Sequence, residues 1–341
     1  MWRRSDPVRP ARAVPRHPLL LLAESPEPLP ANNRVGNGWR LGAPRWLGWI
    51  RGRGVVSSPA PDPHADRSRL AEFGGPRHGP LVVMVAGGRG GVGRSTLAVD
   101  LAYTLGHGSN GRRVLLVDSD SVDPDLDLHL GACRAGRELM PLSRLDQLTL
   151  RLPDLHEGRI TLDGCLFTDS DLGFQCLLAA RDDPKPVTVG REHLDYLFEH
   201  LLAPTFDLIV VDGGPLVSHS SGSLRFWVER AGVALIPCGE GEAHRRSCAR
   251  ALRYFEENSN LGRGNCLAVT ALGPAAAQHQ RRQLAEHGLE LENLPWVPKA
   301  AMLAAARQVP LAQVDNRMRS ACQALAVRVT SMSAGRQSRE R

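Results

Sequence analysis

"VVMVAGGRGGVGRSTLAVDLA", residues 82–102, passes from an apolar run through a glycine cluster into a helix-forming stretch. Without Cβ atoms, the glycines let the backbone bend until successive N–H groups, and the positive end of the following helix, converge on one anion. Gly88, Arg89, Gly90, Gly91, Val92, Gly93, Arg94 and Ser95 fit the phosphate-loop pattern G-x-x-x-x-G-K-[ST], with Arg94 standing where lysine is usual and Thr96 adding a second hydroxyl. Gly88, Gly90 and Gly93 also fit G-x-G-x-x-G, with Asp118 as the acid beyond it, so a dinucleotide site has to be weighed. Ser95 separates the two patterns. A triphosphate site needs that hydroxyl as a magnesium ligand, and a dinucleotide site has no use for it. The expected cofactors are therefore a nucleoside triphosphate and Mg2+, and a nicotinamide or flavin oxidoreductase is disfavoured.

Two acidic strand ends strengthen this reading. "FDLIVVDGGP", residues 206–215, closes an apolar run with Asp212, which can hold a magnesium-bound water or cap a helix; Ser95 favours the metal role. The Gly213-Gly214 pair supplies a turn able to sense a terminal phosphate. In "VLLVDSDSVDPDLDLHLG", residues 114–131, Asp118 and Asp120 stand at the end of the second strand, on the edge where open α/β sheets bind ligands. One can approach the metal and the other can orient or activate a water. The candidate metal ligands are Ser95, Asp212 and one of the pair Asp118 and Asp120, whose other member is the candidate for the water. Asp123, Asp125 and Asp127 read as solvated turn residues.

Working outward, the apolar runs Leu81–Ala86, Val114–Val117, Phe174–Ala180, Asp207–Val211, Val233–Pro237 and Leu267–Ala271 are continuous rather than alternating. Strands of that kind are buried on both faces. The expected fold is α/β, a mostly parallel sheet flanked by helices on both faces, occupying residues 81–332. "AHRRSCARALRYFEEN" spaces Cys248, Ala251, Leu252 and Phe255 as one helical face, and a last helix near 316–332 does the same with Met318, Cys322, Leu325 and Val329.

The flanks differ in character. Residues 1–80 hold 13 arginines against six acids and 13 of the 25 prolines, which predicts a largely disordered basic extension, and 333–341 form a basic tail. Within the extension, "GWRLGAPRWLGWIRGRG", residues 38–54, interleaves Trp39, Trp46 and Trp49 with arginines, a pattern of a linker or of a weak contact with a membrane surface or nucleic acid. Lys185 and Lys299 are the only lysines, so arginine is this chain's default cation. Seven cysteines without a C-x-x-C pair suggest neither a zinc site nor a disulfide framework and fit a reducing cytoplasm. The stretch Leu19–Ala23 is too short and too proline-flanked to read as a signal or anchor.

The loop with a second basic residue ahead of its glycine pair, the D-x-D strand end, the strand ending in Asp212 and "LPWVPKAAMLAAARQVPL", residues 294–311, together resemble the MinD/ParA branch of P-loop ATPases over roughly residues 80–330. The middle portion, "LLAARDDPKPVTVGREHLDYLFEHLLAPTFDLIVVDGGP", residues 177–215, looks most like the CpaE/TadZ proteins and their actinobacterial septum-site relatives, which also write the loop with GGRGG. The segment "GWRLGAPRWLGWIRGRGVV" looks weakly like the leader of MinD-like proteins beside type VII secretion systems.

The resemblance implies a cytoplasmic switch, peripheral at the inner membrane face or pole, that dimerises around Mg-ATP and hydrolyses it slowly. Its partners would be a second copy and a protein of a pilus, secretion or division apparatus. Arg89 then matches the signature lysine that reaches a partner's phosphates, Arg94 the loop lysine and Asp120 the acid that positions water; adenine contacts come from near Val297 and Pro298. A non-catalytic interaction protein is the competing class. Arginine at both lysine positions keeps the charge but changes reach and bulk, so binding is expected to survive better than turnover.

Overall fold

The computed structural model describes residues 79–87, 89–108, 111–120, 124–132, 144–179, 189–216 and 222–337. The readings made for Gly88, Asp123, the extension before Gly79 and the last four residues lie outside the described residues.

Eight strands form one sheet. They are β1 (Leu81–Gly87), β2 (Val114–Asp118), β3 (Phe167–Thr168), β4 (Gln175–Leu177), β5 (Leu208–Pro215), β6 (Val233–Pro237), β7 (Cys266–Thr270) and β8 (Glu290–Asn293). Their order is β3-β4-β2-β5-β1-β6-β7-β8. Every pairing is parallel except the antiparallel β3–β4 contact at the edge.

The helices used below are α1 (Arg94–Gly108), α2 (Leu126–His129), α3 (Gly222–Arg230), α4 (Glu242–Asn258), α5 (Pro274–Ala285), α6 (Pro298–Arg307), α7 (Leu311–Val314) and α8 (Asn316–Gln337). Shorter helical turns fill 145–156 and 191–205. β1 shows why continuous apolar strands were the right signal. Leu81, Val83 and Val85 pack with Leu97, Leu101 and Leu105 of α1 and with Met318, Cys322 and Leu325 of α8. The alternate residues Val82, Met84 and Ala86 pack with Trp227 of α3 and Ala251 and Phe255 of α4. Each side chain of the strand therefore has an apolar layer to enter, the condition for a parallel sheet.

The chain leaves β1 for β2 on one side, returns through β5, and then builds β6, β7 and β8 on the other. The C-terminal end of β1 thus lies where the winding reverses, the place at which open α/β sheets leave a crevice. Among the described residues no helix is long and apolar enough to cross a membrane.

Several strands differ from the sequence expectation: β5, expected at Asp207–Val211 with a turn at Gly213-Gly214, runs on through that pair to Pro215, and two edge strands were not expected. The strand placed at Phe174–Ala180 contracts to Gln175–Leu177, with Leu178 adding one bridge to Arg144. β3 is two residues long and gives no periodic signal. β8, "ELEN", is polar at three of its four positions, as an edge strand allows; Arg328 of α8 pairs with its Glu290 and, at 2.8 Å, its Glu292.

One buried carboxylate ties the loop helix to the C-terminal arm. Asp100 of α1 accepts the backbone N–H of Ala312 at 2.9 Å, and that of Leu311, at the start of α7. Burial raises its pKa from 3.8 to about 7, against the opposing pull of those two N–H groups. A carboxyl raised on folding binds more protons folded than unfolded, so its contribution to stability falls as pH rises from about 4 to 7. Asp100→Asn keeps an acceptor oxygen and removes the charge. The expected result is a gain of about 1–3 kcal/mol in urea unfolding at pH 8 that vanishes towards pH 4; equal gains at both pH values would contradict the buried ionisation.

Candidate functional site

The loop is built by backbone conformation. β1 ends at Gly87, and α1 begins at Arg94 with the Leu97 N–H bonded to Gly93 O at 2.9 Å. Gly91 and Gly93 have φ of 74° and 81°, values that side chains with Cβ resist, and nothing lies near their missing Cβ positions. Conformation, and not crowding, is what demands glycine there. Arg89, Gly90, Gly91 and Gly93 are exposed, while Arg94, Ser95 and Thr96 are half-buried. The first turn of α1 carries no acid of its own, so its N-terminal N–H groups are not neutralised from within the helix.

The acids meet this loop from two adjacent strands. Asp118 and Asp212 are register partners across β2 and β5. The Ser119 N–H bonds to Asp212 O at 2.8 Å, and the Asp120 N–H bonds to Asp118 Oδ1 at 3.1 Å. Burial, and secondly the neighbouring Asp212 charge, hold the Asp118 carboxyl well above the ordinary range. Burial raises Asp212 to about 6, opposed by a hydrogen bond with Ser95 and by the Arg94 charge. One of its oxygens, Oδ1, is buried without a partner, and so is Nη1 of Arg94. The other end of the Arg94 guanidinium is engaged: Nη2 lies 3.4 Å from Asp120 Oδ2, with both side chains nearly buried.

Asp125 corrects the reading of it as a solvated turn residue. Burial would raise its carboxyl, but the hydrogen bond and charge of His129 outweigh this, helped by Ser95 and Arg94, and hold it below the usual range. His129 Nε2 stands 3.4 Å from Asp125 Oδ2. The cause is α2, whose Leu126 is fully buried and draws the preceding turn down onto the start of α1. The spacing of Asp125 and His129, with Leu126 and Leu130 beside them, was the signal available in the sequence. Asp127 accepts the Leu128 N–H at 2.8 Å.

Gly214, with φ of 64°, closes the site from below. A Cβ there would stand 2.5 Å from Asp120 Cγ, so the end of β5 is pressed against the carboxylate that Arg94 holds.

Beside the acid cluster lies a cavity of about 460 Å³. Gly91, Val92, Gly93 and Thr96 form one wall, Pro237 and Cys238 a second, and Thr270, Trp296 and Pro298 a third. The predicted residues therefore fall into two neighbouring groups. Arg94, Ser95, Asp118, Asp120 and Asp212 surround the acid cluster, and Gly91, Val92, Gly93, Thr96 and Pro298 line the cavity; Arg89 and Gly90 sit exposed on the loop above. Sequence reasoning missed Thr270, whose buried hydroxyl has no partner, and Trp296, 65% exposed between two prolines at the rim.

Chemically, the loop and Arg94 can hold an anion by N–H and guanidinium groups. The orphaned Asp212 oxygen, the Ser95 hydroxyl bonded to two carboxylates and the mutual crowding of Asp118 and Asp212 fit a hard dication with oxygen ligands. Among the described residues no three His, Cys, Asp or Glu side chains form a metal cage alone. A cation here would have to share its shell with the anion and water, as magnesium does.

Residues 83–257 match the family described as the CobQ/CobB/MinD/ParA nucleotide binding domain. A putative septum site-determining protein MinD from Oltmannsiellopsis viridis is 29% identical over 133 residues, 39% of this chain and 38% of that protein, so the chain spans about two-fifths of that curated relative's length. A ParA family ATPase from Chlorobium tepidum TLS superposes with a TM-score of 0.59 at 18% identity, covering 72% of this chain and 98% of that one. The septum site-determining protein MinD from Pyrococcus horikoshii OT3, solved with Mg-ADP, gives a TM-score of 0.51 at 16% identity over 72% of this chain and 94% of its own.

Proposed function

Because the chain belongs to the CobQ/CobB/MinD/ParA nucleotide-binding family, we propose that it is an ATP-binding switch of the MinD/ParA kind. It dimerises around Mg-ATP, hydrolyses it slowly, and positions a division, pilus or secretion apparatus in the cell. The observation that carries this reading is the meeting of Arg94, Ser95, Asp120 and Asp212 at the foot of a glycine-bent loop. Within the family we place it in the CpaE/TadZ and septum-site branch, with arginines in a deviant phosphate loop; a type VII secretion locus is the alternative pathway. Residues 81–332 are the nucleotide-binding domain, flanked by the basic extension and the short tail. The protein works in the cytoplasm or at the inner face of the membrane.

In this reading the N–H groups of the loop and Arg94 hold the phosphates, and Ser95, Asp212 and Asp118 hold the cation or its waters. Bound magnesium supplies charge neutralisation and orientation of the phosphates. Asp120 orients water, and the cavity between Thr96 and Pro298 takes the nucleoside. The exposed Arg89 serves a second copy. In sedimentation, Mg-ATP is expected to raise the dimer fraction, and Arg89→Ala to abolish the rise; a dimer unchanged by the substitution would remove Arg89 from that role. Calorimetry with Mg-ATP tests the whole reading, which fails if no heat appears at millimolar nucleotide.

A second reading, a nucleotide-binding scaffold without useful turnover, is favoured by one contact. Arg94 is already paired with Asp120, the acid assigned to water. A scaffold would bind Mg-ATP and release no phosphate with any partner present.

A further inference from the structure

A helix with one face in water normally carries charge on that face, as α4 does with Arg246, Arg250, Arg253 and Glu257. The outer face of α6, "PKAAMLAAAR", is built differently. Ala304 is its one buried residue, and Met302 and Ala306, two positions to either side, project from the opposite face at helical spacing. Met302 is 73% exposed and Leu303 41%, with Ala301, Ala305 and Ala306 exposed beside them. Trp296, just ahead of the helix, adds its exposed indole to this ridge. The indole is held outward by anchored neighbours, because Leu294 and Val297 are buried and the Leu294 N–H bonds to Thr270 O at 2.7 Å. Leu128 and Leu150, the other strongly exposed large hydrophobic residues among those described, lie elsewhere in the chain.

The charge around the ridge has one sign. No acid occurs between Glu292 and Asp315, and the polar side chains of α6 are the exposed Lys299 in its first turn and Arg307 in its last. An apolar ridge with a tryptophan at its edge and cations at both ends suits the boundary between acyl chains and anionic headgroups. A second copy of the same ridge would instead bring like charges together. The long helices α4 and α8 have no apolar face to offer, since Cys248, Ala251, Leu252 and Phe255 of the one and Met318, Cys322, Leu325 and Val329 of the other are buried in the core.

We propose that α6 and Trp296 form a docking surface for a membrane containing anionic lipid. Met302 and Leu303 enter the acyl boundary, Trp296 lies at headgroup level, and Lys299 and Arg307 meet the lipid phosphates.

This surface adjoins the nucleotide cavity without coinciding with it. Trp296, Pro298 and Ala301 line the cavity, whereas Met302 and Leu303 do not. The inference therefore stands apart from the nucleotide reading, and substitutions at 302 and 303 leave the cavity lining intact.

The full chain is floated with phosphatidylcholine vesicles, with and without phosphatidylglycerol, and Mg-ATP binding is measured by calorimetry on the same preparation. The expected result is association with the anionic vesicles that weakens with salt and is about tenfold or more weaker on neutral ones. Met302→Asp combined with Leu303→Gln is expected to weaken it about tenfold or more, and Lys299→Glu about fivefold or more. Thermal unfolding should not change, because all three side chains are exposed. A photocrosslinking phenylalanine derivative in place of Met302 is expected to join lipid. Failure to float with either vesicle, which would leave the ridge to a protein partner, overturns the inference. So does flotation untouched by the double substitution, or a crosslink that joins two copies of the chain in place of lipid. Heat with Mg-ATP but no flotation removes this surface and leaves the nucleotide reading standing; flotation without that heat does the reverse.

Discussion

Arg94→Ala is expected to weaken Mg-ATP binding by about 100-fold or more, and Arg94→Lys to keep affinity within about tenfold while raising turnover about tenfold. The guanidinium sits at the first position of α1, with one end on Asp120 at 3.4 Å and the other buried without a partner. That unused end is available to an anion, and a charged hydrogen bond contributes about 1.5–3 kcal/mol. Alanine removes it and also takes the Arg94 guanidinium away from the buried Asp120 carboxylate, which costs further stability. Lysine restores a compact point charge that lacks the planar fork holding Asp120, so the carboxylate is freed to orient water. Calorimetry and a phosphate-release assay read the two effects separately. An alanine variant with native affinity would remove Arg94 from the phosphate site, and a lysine variant no faster than native would show that the Asp120 pairing does not limit turnover.

Gly214→Ala is expected to destabilise the protein by about 2–4 kcal/mol. Two costs combine. The backbone at φ of 64° penalises any Cβ, and the Cβ itself would stand 2.5 Å from Asp120 Cγ and 2.6 and 2.8 Å from its oxygens. Asp120 cannot simply withdraw, because its backbone N–H is tied to Asp118 and its carboxylate to Arg94. In an Asp120→Ala background the steric part disappears and the backbone part remains. Urea unfolding of both single variants and the double variant should therefore show a coupling of about 1–3 kcal/mol. Strict additivity would mean that the end of β5 relaxes away from Asp120 at no cost.

Much of the sheet was legible because its signal is local. The runs at Leu81–Ala86, Val114–Val117 and Val233–Pro237 announce strands by composition, and Cys248, Ala251, Leu252 and Phe255 announce a helix face by spacing. β3 and β8 were not legible, since a two-residue strand has no period and a polar edge strand needs only one buried face. Within the candidate site, the loop and the acids at the ends of β2 and β5 could be chosen from their neighbours in the chain. Asp125 was marked only by its i, i+4 spacing to His129, and its place in the site was settled by Leu126 reaching a buried position against α1.

By itself the sequence determined the chemistry a short stretch of backbone can present: glycines free to take positive φ at 91 and 93, a hydroxyl and a cation at the helix start, and acids closing apolar strands. Covalent adjacency is enough for that, because such groups stay together however the chain folds. Tertiary structure alone decided which distant groups complete them. It set Arg94 on Asp120 and Asp100 on Ala312, and brought Thr270, Trp296 and Pro298 across from the loop to enclose a cavity. Contacts between residues so far apart in the chain follow from how two apolar faces of one sheet are covered, and no periodicity along the chain encodes them.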